Sequence, residues 1–145
     1  MRMTASTGAL MQRSRIGSTY RVLLVDENAA DLAWYSSLLK EAGYDVQTCN
    51  AYAQALSWLE SQHFDFIIVS QGTHKFEGRL VLTRAVEIDR GLPVLVLARS
   101  LDMTCYLEAM QLGALDYFEK PLLPQELLGV VSRKLPPPTE LMRVA

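Results

Sequence analysis

Two kinds of apolar pattern alternate along this chain. Short segments at Tyr20–Val25, Tyr44–Cys49, Phe64–Ser70, Val94–Leu97 and Asp116–Glu119 are mostly rich in β-branched and aromatic residues and read as strands. The longer stretches between them repeat apolar residues every three or four positions, which is the helical period. Asp31–Ala42 places Leu32, Tyr35, Leu38, Leu39 and Ala42 on one face. Ala51–Ser61 turns Ala55, Leu56 and Leu59 inward, with Trp58 at a helix edge. Leu80–Asp89 presents Val81, Leu82, Ala85 and Ile88, and Asp102–Leu112 and Pro124–Leu135 complete the set of predicted helices. Asn28 or Asp31 is placed to cap the first helix and Asn50 the second. Gly43, Gly91-Leu92-Pro93, Gly113 and Pro136-Pro137-Pro138 are helix stops.

The third strand segment stands apart from the others. Phe66-Ile67-Ile68-Val69 has no polar and apolar alternation, the pattern of a strand covered on both faces. With the regular strand–helix alternation, this predicts an α/β fold: a five-stranded parallel sheet of order 2-1-3-4-5, doubly wound, with right-handed crossovers. Function in such sheets gathers at the carboxyl ends of the strands, around the switch point between the first and third. Asp26 and Glu27 end the first strand, Ser70 the third, Leu97 the fourth and Lys120 the fifth. Capping accounts for Asn28 or Asp31. It does not account for Asp26 and Glu27, whose like charges repel. A third carboxylate would complete a Mg²⁺ site, because that ion prefers oxygen ligands. With only two, Lys120 is expected to face them as an ion-pair partner.

Composition narrows the function classes. The chain has 145 residues, enough for one domain with a real core, and a net charge of −2, which gives no strong pull toward nucleic acid or anionic membrane. No apolar run approaches the roughly 20 residues of a membrane span. Cys49 and Cys105 have no metal-ligand spacing and read as reduced, buried thiols. His63 and His74 form no ligand pair with them. The expected location is the cytoplasm. Residues 1–19 carry Arg2, Arg13 and Arg15 with no acid and read as a flexible basic arm, with Met3 or Met11 as alternative starts. Residues 20–135 form the domain, and 136–145 a Pro-rich tail.

Three stretches resemble the receiver domain of bacterial two-component response regulators. They are Val22-Leu23-Leu24-Val25-Asp26-Glu27-Asn28, the Phe64–Ser70 strand with Gly78 eight residues on, and Ala109–Pro121 with its Gly113-Ala114, Tyr117 and Lys120-Pro121. The resemblance runs from about Tyr20 to Leu135 and implies the same flavodoxin-like sheet. It implies that Asp26 and Glu27 match the Mg²⁺-binding acids and that Gly72 matches the position lending a carbonyl to the metal. Lys120 matches the lysine that pairs with the phosphoryl group, before a peptide bond that is usually cis. Tyr117 matches a switch aromatic that turns inward on phosphorylation. Two positions depart from the family. Ser70 stands where receivers carry the phosphorylated aspartate, and Leu97 is matched to a Thr or Ser whose hydroxyl holds a phosphoryl oxygen. His74 replaces a common loop proline.

These departures set the functional expectation. A serine hydroxyl is a weak nucleophile without a base, and no histidine is placed to serve as one. The chain therefore reads as a pseudo-receiver, not an enzyme, acting by phosphorylation-independent contact, with Mg²⁺ weak or absent at Asp26, Glu27 and Gly72. Tyr117 is expected to pack at the core edge with a wet hydroxyl. The implied partner is a protein or a second copy, through the fourth helix, fifth strand and fifth helix, including Met103, Tyr106, Leu107 and Met110. A histidine kinase or an output protein is a candidate. Two alternatives stay open: phosphorylation of Ser70 or Glu27, and a flavodoxin-like ligand binder. The second lacks a phosphate cradle, because Asp26-Glu27-Asn28 occupies the first strand–helix turn. No recognition helix for DNA is visible.

Overall fold

Residues 19–137 are described by the computed structural model. Five strands, β1 (Arg21–Val25), β2 (Asp45–Cys49), β3 (Phe66–Ser70), β4 (Val94–Ala98) and β5 (Asp116–Glu119), alternate with five helices. The helices are α1 (Ala29–Glu41), α2 (Tyr52–Ser61), α3 (Arg79–Ile88), α4 (Met103–Leu112) and α5 (Pro124–Lys134). The sheet is parallel throughout, in the order β2-β1-β3-β4-β5, as expected. The basic arm and Pro-rich tail lie outside the described residues, apart from Thr19, Pro136 and Pro137.

The hydrophobic pattern explains the layering. Every residue of β3 and of β4 is buried, whereas the edge strands β2 and β5 alternate. Successive side chains of a strand point to opposite faces, so the central strands feed two cores. Leu23, Val25, Ile67, Val69, Val94, Val96 and Ala98 pack with α2, α3 and α4. Val22, Leu24, Phe66, Ile68, Leu95 and Leu97 pack with α1 and α5. Leu122, just before α5, closes the second core.

Helix ends follow their caps. Asn28 caps α1, its side chain accepting from the Asp31 amide, and the helix therefore begins two residues before the predicted start. Asn50 does not cap α2. The cap position is Ala51, which makes no side-chain cap bond, so Asn50 lies one residue too early. Ile88, expected in the core, is the last residue of α3 and is exposed. The Lys120–Pro121 peptide is cis. Cys49 and Cys105 are both free and buried.

Two glycines let the loop after β3 close. A Cβ on Gly78 would collide with the Ser70 carbonyl oxygen. Gly72 has φ +86, the left-handed region that side chains other than glycine rarely adopt. Sheet hydrogen bonding also continues past the strand ends. The Asp26 amide donates to Cys49 O at 3.0 Å, Gln71 to Leu97 O at 2.7 Å and Lys120 to Ala98 O at 2.7 Å. These extensions hold the chain leaving β1, β3 and β5 in register around one crevice.

Candidate functional site: the crevice at the strand ends

Asp26 is the most deeply placed acid of the crevice, 1% exposed. Its two oxygens have separate partners. Oδ1 accepts from the Asn28 amide at 2.9 Å, and Oδ2 accepts from Lys120 Nζ at 2.8 Å. Lys120 Nζ also donates to Asp31 Oδ2 at 2.8 Å. The expected Asp26–Lys120 pair is therefore present, and Asp31 joins it from the first turn of α1. Burial pulls the Lys120 pKa down, but the hydrogen bonds to Asp26 and Asp31 outweigh it, and the ammonium titrates above the ordinary lysine value.

Glu27 points outward from the same strand end. One of its oxygens accepts from the Tyr52 hydroxyl at 2.9 Å, and that hydroxyl also lies 3.2 Å from the Ser70 carbonyl. Burial, helped by the negative Glu27 and Asp26, pushes the Tyr52 pKa well above a free tyrosine's. Tyr52 opens α2 and so bridges the ends of β1 and β3.

Ser70 is 3% exposed, and its Oγ accepts from the Gly72 amide at 3.2 Å. No hydrogen bond joins its hydroxyl to Lys120, Asp26 or Glu27 among the described residues. Beyond Ser70, Glu77 accepts from the Thr73 amide at 2.7 Å, and this bond holds the Glu77 carboxyl below its usual pKa. A cleft of about 350 Å³ opens there, with Glu27, Gly72 and His74 on one side and Arg99, Ser100 and Asp102 on the other.

Leu97 and Tyr117 do not share a neighbourhood. Leu97 is buried in the core of α1 and α5, while Tyr117 belongs to the core of α2, α3 and α4. The β4 residue on the Tyr117 side is Ala98. A hydroxyl acting together with Tyr117 belongs on that side, because a one-residue step along a strand reverses the face. The match to Leu97 is accordingly corrected to Ala98, which also lacks a hydroxyl.

Tyr117 departs from expectation as well. It is 5% exposed, and its hydroxyl is bonded inside the protein. The hydroxyl donates to Gln71 Oε1 and accepts from the Asp102 amide at 3.2 Å. Its ring meets Tyr106 edge-on at 5.6 Å. A buried phenol is strongly favoured to find such partners, and Gln71 supplies one.

Three participants escaped the sequence reading: Asp31, Tyr52 and Gln71. The sequence reading gives Asp31 as a helix start and candidate cap. Its five-residue spacing from Asp26 was the available signal, since it sets Asp31 on the turn leaving the acidic strand end. For Tyr52 and Gln71 the signal was adjacency, one at the start of α2 and one directly after Ser70.

The model of the response regulator receiver domain matches residues 22–132. The chain belongs to this family. The receiver is 30% identical over 101 residues to the transcriptional regulatory protein ZraR of Escherichia coli strain K12, covering 70% of this chain and 23% of that protein. It is also 30% identical over 115 residues to the alginate biosynthesis transcriptional regulatory protein AlgB of Pseudomonas putida, covering 79% and 26%. The chain thus spans about a quarter of these curated relatives. Among solved structures, a CheY-like receiver domain protein from Methanospirillum hungatei JF-1 superposes with a TM-score of 0.76 at 24% identity, covering 81% of this chain and 94% of that one. The signal receiver domain of an HD domain-containing protein from Pseudomonas fluorescens Pf-5 gives 0.74 at 25% identity, with the same coverage. Receivers are the signalling modules of two-component systems, so this chain is a two-component signalling domain.

Proposed function

We propose that this receiver signals by contact with a protein partner and not by accepting a phosphoryl group. The observation that carries the reading is Ser70 at the end of β3: a buried hydroxyl that accepts from the Gly72 amide and has no hydrogen bond to Asp26, Glu27 or Lys120 among the described residues, while Lys120 is already held by two carboxylates. A carboxylate attacks phosphorus without a base, whereas a serine hydroxyl needs one. Glu27, the exposed acid that follows β1, is engaged by Tyr52 instead. Neither Leu97 nor Ala98 offers a hydroxyl to a phosphoryl oxygen.

The pocket also fits Mg²⁺ poorly. Asp26 has both oxygens bonded to protein donors, and Glu27 has one. Ser70 removes the third carboxylate, and Lys120 supplies positive charge within the pocket. Among the described residues, no group of three or more His, Cys, Asp or Glu is placed to hold a metal ion. Gly72 retains its place beside the pocket, and in this reading it has no metal to serve.

The contact surface is the α4-β5-α5 face. Met103, Leu107 and Met110 are spaced along the outer crest of α4, and all three are exposed, as is Leu101 just before the helix. Tyr106 links this crest to Tyr117 on β5. The occupant is a protein of the pathway, such as a histidine kinase or output protein, or a second copy of this chain. The site contains no set for catalysis, and among the described residues no helix is long and apolar enough to cross a membrane. The cytoplasm is the expected place of action.

Burial of Ser70 argues against a serine kinase reaching it, because such a kinase needs an accessible hydroxyl. The test is incubation with acetyl phosphate and Mg²⁺ followed by intact-mass measurement. No phosphoryl adduct is expected, and a stoichiometric adduct on Ser70 or Glu27 would overturn the reading. A flavin or nucleotide absorbance in purified protein would instead favour the ligand-binding alternative.

A further inference from the structure

Gln71, directly after Ser70, is an unusual residue to bury. It is 4% exposed, and both its backbone and its side-chain polar groups are used. Its amide donates to Leu97 O at 2.7 Å, and its carbonyl accepts from the Gly78 amide at 3.1 Å. Its side-chain Nε2 donates to Thr73 O at 3.0 Å, and its Oε1 accepts the Tyr117 hydroxyl. The backbone N–H and C=O and the side-chain oxygen and nitrogen each have at least one partner inside the protein.

The network continues from Tyr117. The phenol oxygen accepts from the Asp102 amide at 3.2 Å. Asp102 is the N-cap of α4, and its Oδ1 accepts from the Cys105 amide at 3.2 Å. A continuous chain of hydrogen bonds therefore runs from the residue after Ser70, through β5, to the first turn of α4. The outer crest of that helix carries Met103, Leu107 and Met110.

We infer that Gln71 acts as a built-in latch: it holds Tyr117 inward and thereby keeps the start of α4 in one arrangement, so that the α4 crest is presented constitutively. This rests on the proposal that the domain works without a phosphoryl group on Ser70. Rotating Tyr117 outward would strand the Gln71 oxygen and the Asp102 amide at buried or half-buried positions. The cost of an unpaired buried polar group favours the inward ring by roughly 5- to 150-fold. The geometry makes Gln71 the selecting group, because Oε1 is the acceptor that the phenol O–H requires. Gln71 also fastens itself, since Nε2 is anchored to the loop by Thr73.

The test uses the full chain with tyrosine rings labelled with ¹³C, one of six signals being assigned to Tyr117 through Tyr117→Phe. The native protein is expected to show one Tyr117 ring signal, shielded from a soluble paramagnetic probe and unmoved by acetyl phosphate with Mg²⁺. Gln71→Met keeps the side-chain volume and removes the acceptor. It is expected to shift or broaden the Tyr117 signal, raise its relaxation by the probe several-fold and speed amide exchange in Met103–Tyr106. A Tyr117 signal in Gln71→Met that stays at its native position and shielding would overturn the latch. So would a native signal that moves with acetyl phosphate. If Gln71→Met does not fold, Gln71→Glu keeps an oxygen acceptor for the phenol in either protonation state, and Tyr117 is then expected to stay shielded with its signal shifted. An unshifted signal there would overturn the latch. A phosphoryl adduct by mass with an unmoved Tyr117 signal would sink the phosphate-free reading and leave the latch standing.

Discussion

Lys120 and Asp31 are 89 residues apart in the chain, and their charged atoms lie 2.8 Å apart. Asp31 comes from the first turn of α1 and Lys120 from the end of β5, so the pair joins the two ends of the domain across the crevice. Asp26 shares the same ammonium, and a buried lysine is thereby held between two carboxylates. Lys120→Met removes the cation and leaves Asp26 buried and unpaired. It is expected to cost about 3 kcal/mol of stability in urea unfolding. Asp31→Ala touches the more exposed partner and is expected to cost about 1 kcal/mol or less. Equal losses in the two variants would show that the Asp31 contact alone accounts for the cost and that the Asp26–Lys120 pair adds nothing.

Alkaline conditions should weaken the fold. Lys120 titrates above the ordinary lysine value of 10.5, because Asp26 and Asp31 outweigh burial. A proton held more tightly in the folded state stabilises fully below the unfolded pKa, and this stability is lost as pH rises through the folded pKa. The same sign holds for Cys105, whose thiol is pushed by burial from 9.0 to about 11. Tyr52, raised by burial and by Glu27, adds to the loss at higher pH. Urea midpoints measured from about pH 8 to about pH 11 should fall progressively, and Lys120→Met should flatten the upper part of that decline. A flat profile in the native protein would contradict the assignment.

Replacing Ser70 by Asp restores the third carboxylate beside Asp26 and Glu27. Each added unit charge near a dication is worth several kcal/mol, about 4 for a pair at 4 Å and an effective dielectric constant of 20. Calorimetric titration with Mg²⁺ should show binding at least roughly tenfold tighter in Ser70→Asp than in the native protein. Equal affinities would mean that the third carboxylate adds nothing to metal binding in this crevice.

Gly78→Ala probes how tightly the loop closes on β3. The new methyl group meets the Ser70 carbonyl, which is backbone and has little freedom to move. A loss of about 2 kcal/mol in thermal or urea unfolding is expected, in the range for overpacking. Gly129→Ala, on α5 with open space around its Cβ position, is the matched control. It is expected to be neutral or stabilising by up to about 1 kcal/mol, because alanine is the better helix former.

Tyr52→Phe removes the hydroxyl that bridges Glu27 and the Ser70 carbonyl. A loss of about 1 kcal/mol is expected for the missing bond. The freed Glu27 oxygen should also strengthen whatever weak Mg²⁺ binding the pocket retains, and the same titration reads this out. Unchanged stability would place the Tyr52 hydroxyl in water.

The periodicity of apolar residues was enough for the five strands, the five helices and the set of strand ends that form the crevice, and the sheet order came with the doubly wound fold that the receiver resemblance implies. β3 is legible because it is buried on both faces, and Asp26, Ser70 and Lys120 follow because they stand at strand termini. Errors arose where a pattern lacks an end or a face. Ile88 keeps the helical period but sits in the last turn, beyond the reach of the core. Leu97 and Ala98 are adjacent apolar residues in a fully buried strand, so alternation in the sequence does not tell which one faces Tyr117.

That an α/β sheet gathers two acids, a serine and a lysine at one edge was readable from the chain, because local periodicity and strand length are written in neighbouring residues. Which group partners which there depends on the folded arrangement. Asp31 reaches Lys120, Tyr52 reaches Glu27 and Gln71 reaches Tyr117 across separations of 89, 25 and 46 residues. Those distances are closed by the crossovers of the sheet, and hydrogen bonds form only after the strands have brought the groups within about 3 Å.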